Sequence, residues 1–211
     1  MQKANVVYFL GGKTYINLTN ACTCNCVFCI KDIKDDVAGT NLVLDRDNVT
    51  ADEVIQELIN HATTSLATHE EVIFCGYGEP LLKLGILKDV CKFIKTKFPY
   101  VKVRVNTNGH ASKVLRKNVP RELKGLVDSM SISLNAPNAQ AYEKACKPNF
   151  KGAYEAMLEF TRQCIEAKIP VIMSAVSGFN LELDEGIVEC YKISQELGVR
   201  FKIREYIKEG Y

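Results

Sequence analysis

The sequence lacks an excess of charge of either sign, any long hydrophobic run and any tract of low complexity, and each absence removes a class of function. Its 27 basic and 25 acidic residues are interleaved, so no field exists that would single out nucleic acid or an acidic membrane as partner. The amino-terminal stretch MQKANVVYFLGGK holds an apolar run of only five residues, too short for a signal peptide and far too short to cross a bilayer. The expectation is a cytoplasmic protein with no membrane partner. A disulfide framework is missing too. The nine cysteines are odd in number, and five of them, Cys75, Cys91, Cys146, Cys164 and Cys190, are scattered singly, as small buried hydrophobes in a reducing compartment would be. With no linker in 211 residues, one domain over residues 1–211 is expected, long enough to bury roughly 70% of its surface.

What is present is a rhythm. After the opening hairpin VVYFLGGKTYINLT, short apolar runs alternate with helix-period segments to the end of the chain, the pattern of βα units on a parallel sheet. Six strands are expected: TYINLT, EVIFCG, VKVRVN, SMSISLN, PVIMSAV and VRFKIREY. Most alternate poorly, as strands buried on both faces should. Between them, Thr50 and Glu53 form a capping box that opens a helix with Val54, Ile55, Leu58, Ile59 and Ala62 on one side. Similar stripes comprise Leu87, Val90, Cys91 and Ile94; Tyr154, Met157, Leu158, Thr161 and Ile165; and Ile187, Cys190 and Tyr191. All read as core. Two segments break the rhythm: the long connection from Ile33 to Val49, and KPNFKG at residues 147–152. The first is longer than about 12 residues, a length that is commonly functional, and both are expected to form walls or a lid around a site.

Chemistry concentrates in ACTCNCVFC, residues 21–29, directly after the first βα strand. Ligands bind at that carboxyl edge in βα sheets and barrels. Cys22, Cys26 and Cys29 are spaced C-x3-C-x2-C, with Cys24 between them and Phe28 before the last. Zinc usually takes two separated ligand pairs, but the sequence has no second C-x2-C or H-x3-H, and His61, His69 and His110 are dispersed. A redox dithiol of Cys26 and Cys29 would leave Cys22 unexplained. Three thiolates from one loop can also hold an iron-sulfur cube whose fourth iron is open. The later strands end in GYGEP at 76–80, NTNG at 106–109 and SISLNAP at 131–137. Glycines there admit a close backbone approach, and Glu79 presents a carboxylate.

Together, NLTNACTCNCVFCIK, VIFCGYGEPLL, RVNTNGHA, SISLNAPNAQAYEKACKP and FKIREYI resemble the radical S-adenosylmethionine superfamily, and within it the small proteins associated with TatD-family hydrolases, from about Tyr15 to Ile207. The resemblance implies an α/β fold, a partial (β/α)6 TIM-like barrel with a short N-terminal hairpin. It implies a 4Fe-4S cluster held by Cys22, Cys26 and Cys29, with Cys24 pointing away from it as a packed or exposed thiol and left as the alternative ligand. It further implies S-adenosylmethionine bound by Phe28, Gly76, Gly78, Glu79, Asn106, Ser133, Asn135, Val176, Arg204 and Tyr206, with Glu79 receiving the methionine amino group. No catalytic side chain beyond the cluster ligands is implied. The implied chemistry is reductive cleavage to a 5′-deoxyadenosyl radical that takes hydrogen from a substrate. Partners expected on this reading are an external electron donor such as flavodoxin or ferredoxin, a TatD-family hydrolase as functional neighbour, and an unidentified substrate. Because the sequence stops at Tyr211, soon after the sixth strand, the cavity is expected to be open on one side and the substrate to be macromolecular. Within the class, the rivals are a glycyl-radical-enzyme activase and a 7-carboxy-7-deazaguanine synthase. From another class, a non-catalytic zinc-binding or thiol redox module remains open. Cys146 and Lys147 are further candidates for reaching the cavity.

Overall fold

A computed structural model describes residues 5–37, 39–61 and 70–206. The stripe residue Ala62, His69 and the last matched position, Ile207, lie outside the described residues. Strands β1 (Val7–Leu10) and β2 (Lys13–Ile16) form an antiparallel hairpin. It turns through Gly11 and Gly12, both at positive φ, which a side chain would oppose. From β2 onward the strands β5 (Glu71–Phe74), β6 (Lys102–Thr107), β7 (Ser129–Ser133), β8 (Val171–Ser177) and β9 (Arg200–Glu205) add in chain order, each parallel to the last. Six parallel strands in sequential order make the partial (β/α)6 barrel. The short strands β3 (Asp36–Val37) and β4 (Thr40–Asn41) pair separately.

Helices follow the strands: α1 (Ala51–Asn60), α2 (Leu84–Lys97), α3 (Ala111–Leu115), α4 (Val119–Leu123), α5 (Ala139–Cys146), α6 (Ala153–Glu166), α7 (Leu181–Glu185) and α8 (Ile187–Glu196). Their starts are chemically specified. The side chains of Thr50, Asn118, Asn138 and Asn180 each accept a hydrogen bond from the N–H three residues on, satisfying a donor that the first helical turn leaves over. KPNFKG does separate α5 from α6, through left-handed Lys147 and Gly152.

The core lies between sheet and helices. Strands β5 and β8 are buried on both faces, whereas β6 and β7 alternate buried with half-buried residues, so poor alternation holds for only part of the sheet. The helical stripes are also narrower than expected. Val54, Leu58, Leu87, Val90, Cys91, Ile94, Met157, Thr161 and Cys190 are buried, but Ile59, Ile165 and Tyr191 are exposed. They sit at the margins of their stripes, beyond the arc each helix presents to the sheet.

Candidate functional site

The carboxyl ends of the strands surround a cavity of about 290 Å³. Its wall brings together Cys22, Cys26, Cys29, Phe28, Gly76, Gly78, Glu79, Asn106, Ser133, Asn135, Val176, Arg204 and Tyr206, every position that the resemblance assigned to the cluster or to S-adenosylmethionine. Parallel strands share one polarity, so residues as far apart in the chain as Cys22 and Tyr206, 184 positions, end at one edge.

The cysteine loop is held from three sides. On one, the N–H of Asn25 donates to the carbonyls of Cys146 and Lys147, and the N–H of Val27 to that of Ala145. These are carbonyls at the end of α5, which a helix terminus leaves without partners. On another, Gly78 lies so close that a Cβ there would stand 2.3 Å from the carbonyl oxygen of Thr19 and 2.5 Å from that of Ala21. The Glu79 N–H donates to the latter oxygen at 2.8 Å. Gly76 is likewise packed on Asn17. These glycines therefore serve first to let two loops touch.

Underneath runs a buried polar chain. Asn108 Nδ2 donates to Thr23 Oγ1 at 2.8 Å, Thr23 Oγ1 lies 2.8 Å from His110 Nδ1, and His110 Nε2 lies 2.9 Å from the Tyr142 hydroxyl. His110, only 1% exposed, has its pKa pushed down to about 4 by burial. Asn108 Nδ2 also approaches Cys22 Sγ at 3.6 Å.

Cys24 does not point away. It lines the cavity, and its thiol contacts those of Cys22 and Cys26. Its backbone pairs with Pro148 on the far side, which turns the side chain inward. Contact with Cys24 and burial hold the Cys22 thiol well above the ordinary range, contact with Cys146 and burial do the same for Cys26, and burial raises Cys29. Among the described residues no three His, Cys, Asp or Glu side chains converge on one metal-ion position.

Glu79 is buried, and its carboxylate accepts from Thr107 Oγ1 (2.8 Å), the Asn108 N–H (2.8 Å) and the Leu81 N–H (3.1 Å). Burial nevertheless prevails over these bonds and pushes its pKa up to about 7. A carboxylate offers about four acceptor positions, so one stays available. Across the cavity, Asn135 adopts a left-handed φ of 57°, uncommon for any residue but Gly. Its Oδ1 accepts from the Arg204 guanidinium at 3.2 Å, while Arg204 Nε donates to Ser174 Oγ at 3.1 Å. Among the described residues, the buried Asn106 Oδ1 has no partner. Phe28, Phe179 and Tyr206 meet edge to face along one wall.

Sequence reasoning missed Cys75, Tyr142, Ser174 and Glu205, which also line the cavity. Cys75 and Ser174 could have been found by extending each strand end to all its residues; Tyr142 on α5 carries no such signal. The expected walls differ as well. None of the described residues from Ile33 to Val49 lines the cavity, because Asn17 and Asn20 bind the Leu42 and Leu44 carbonyls and hold that segment to the end of β2. Cys146 reaches the cavity, whereas Lys147 and the rest of KPNFKG pack outside the cysteine loop.

Three thiols on one loop are a donor set suited to an iron-sulfur cluster. The unpartnered Asn106 oxygen and the free donors of Arg204 suit a polar organic ligand beside it. The Radical SAM superfamily pattern matches residues 16–192. A relative, the dual-specificity RNA methyltransferase RlmN of Vesicomyosocius okutanii subsp. Calyptogena okutanii, is 25% identical over 163 residues, covering 74% of this chain and 42% of that protein. The chain thus spans less than half of that relative. Among solved structures, Streptococcus suis SuiB bound to S-adenosylmethionine superposes with a TM-score of 0.64 at 17% identity, over 93% of this chain and 39% of SuiB. A radical SAM methyltransferase from Sphaerobacter thermophilus gives 0.61 at 16%, over 94% and 68%. At these identities the likeness concerns the fold.

Proposed function

The chain belongs to the Radical SAM superfamily, matched over residues 16–192 of 211, and from that premise we propose that it is an enzyme that uses Cys22, Cys26 and Cys29 to hold a 4Fe-4S cluster and binds S-adenosylmethionine in the adjoining cavity. When bound, the cluster supplies the electron that splits the sulfonium bond reductively and so generates a 5′-deoxyadenosyl radical for hydrogen abstraction. The remaining work falls to side chains. Glu79 has an acceptor position left for the methionine ammonium, and Arg204, oriented by Asn135 and Ser174, has donors left for the carboxylate. The Asn106 oxygen, beside Ser133, would be free to accept from a ribose hydroxyl, and Val176, Phe28 and Tyr206 would cover the adenosyl group and exclude water. The observation that carries the reading is the meeting of the three thiols with Glu79, Asn106 and Arg204 on one cavity.

The substrate is proposed to be macromolecular. The RlmN relative is named for action on RNA, which accords with that reading. A functional link to a TatD-family hydrolase is retained from the sequence resemblance. An activase would act on a partner protein and the deazaguanine synthase on a pterin, so 5′-deoxyadenosine release in the presence of each separates them. The test is anaerobic reconstitution with iron and sulfide, reduction, and addition of S-adenosylmethionine. We expect 5′-deoxyadenosine, and loss of both iron and product in Cys22→Ala, Cys26→Ala and Cys29→Ala. Protein that takes up zinc but no iron or sulfide would overturn the reading.

A further inference from the structure

Outside the cysteine loop lies a second concavity, an open groove lined by Lys113, Arg116, Val114, Asn149, Phe150 and Thr23. Its charge is one-sided in a chain that is otherwise balanced. Residues 110–121 carry Lys113, Arg116, Lys117 and Arg121 without a carboxylate, and residues 147–154 carry Lys147 and Lys151 without one. Lys117 pairs with Glu122. Among the described residues, Lys113, Arg116, Lys147 and Lys151 make no ion pair, and all four are exposed. Val114, also exposed, and half-buried Phe150 supply apolar surface between the charges.

The groove and the cavity share the cysteine loop and no residue. Thr23 lines the groove, while its chain neighbours Cys22 and Cys24 line the cavity. The loop is bound to the groove wall by the Asn149 N–H, which donates to the Thr23 carbonyl at 3.0 Å, and by the Cys24–Pro148 bridge. An electron entering through this face crosses one thickness of backbone to reach the thiols, and the cavity stays free for its own ligand.

From this placement we infer that the groove docks an acidic one-electron carrier protein, whose carboxylates meet Lys113, Arg116, Lys147 and Lys151 and whose redox group faces the cysteine loop. The inference rests on the proposed function, because only a reductive reaction needs such a partner. The carrier gives up one electron per cleavage and leaves in its oxidised form. Complementary charge of this kind raises the encounter rate and weakens with salt.

The test uses the reconstituted full chain with two reductants, dithionite and a reduced flavodoxin, and reads 5′-deoxyadenosine formation. In Lys113→Glu/Arg116→Glu, and in the milder Lys113→Gln/Lys151→Gln, the flavodoxin-driven rate should fall by about tenfold or more, with the dithionite-driven rate unchanged. Raised salt should produce the same fall in the wild type, and Lys92→Glu on α2 should have no effect. Calorimetric titration of flavodoxin into each protein reads docking apart from turnover, and affinity should fall in the same variants. A flavodoxin-driven rate and affinity unaffected by the substitutions would overturn the inference. So would variants that lose affinity for a single-stranded RNA oligomer while keeping the flavodoxin response. Absence of 5′-deoxyadenosine with dithionite would instead count against the reading of the cavity, and the titration would still decide the docking.

Discussion

Gly78→Ala probes the junction on which the site depends. Gly78 has no left-handed φ, so alanine fits its backbone conformation and only space matters. An added Cβ would stand 2.3 Å from the Thr19 carbonyl oxygen, about 0.7 Å inside the nearest approach that real Cβ atoms make, and 2.5 Å from that of Ala21. Both obstacles are backbone atoms of the segment leading into Cys22, so neither can rotate aside. The loops must separate, straining the 2.8 Å bond from the Glu79 N–H to the Ala21 carbonyl. Overpacking of this kind costs about 1–3 kcal/mol, and a shift of about 1 Å at a reacting centre can cost about 100-fold in rate. Gly85→Ala is the control: it lies in α2 with nothing among the described residues within 4 Å of where its Cβ would stand, and should stabilise the protein by about 0.5–1 kcal/mol. Urea unfolding of both variants, with iron content after reconstitution, gives the readout. If Gly78→Ala unfolds at the wild-type midpoint and binds iron normally, the packing account of GYGEP is wrong.

His110 predicts a pH dependence. Its folded pKa of about 4 lies below the ordinary 6.5, so its share of stability is complete above pH 6.5 and is lost as pH falls toward 4. By pH 5 the loss is about 2 kcal/mol. Glu79, raised to about 7, acts with opposite sign, its share being present below the ordinary carboxylate pKa and lost as pH rises through 7. The readable quantity is therefore wild type minus His110→Gln, in which Glu79 cancels. Measured by urea unfolding, that difference should shrink by about 2 kcal/mol between pH 7 and pH 5, and a constant difference would show the imidazole to be solvated. Cys24→Ala should retain reconstituted iron where Cys22→Ala does not, despite the inward thiol, and iron loss in Cys24→Ala would make Cys24 a ligand.

Much of this protein was legible in the chain because its code is local. Alternation of apolar runs with capped helical segments specified βα units, and a parallel sheet then sends every strand's carboxyl end to one edge. That is why the cysteine loop and the strand ends carrying Glu79, Asn106 and Asn135 could be sent to one edge without knowing any distance, whereas the assignment of Asn106, Asn135 and Arg204 to a cofactor came from the superfamily resemblance. Helix stripes were less legible: Ile59, Ile165 and Tyr191 have the right spacing but lie beyond the buried arc, and the width of that arc depends on the neighbouring element.

The sequence by itself determined the βα units, the parallel polarity of the sheet and the edge where chemistry gathers, because hydrophobic period and capping act within a few residues. Only the tertiary structure decided which way Cys24 faces, that His110 joins Thr23 to Tyr142 under the loop, and that Lys113 and Arg116 stand behind it. Those placements bring together residues 32 to 124 positions apart, and they exist only once helix rotation and strand register are fixed by packing.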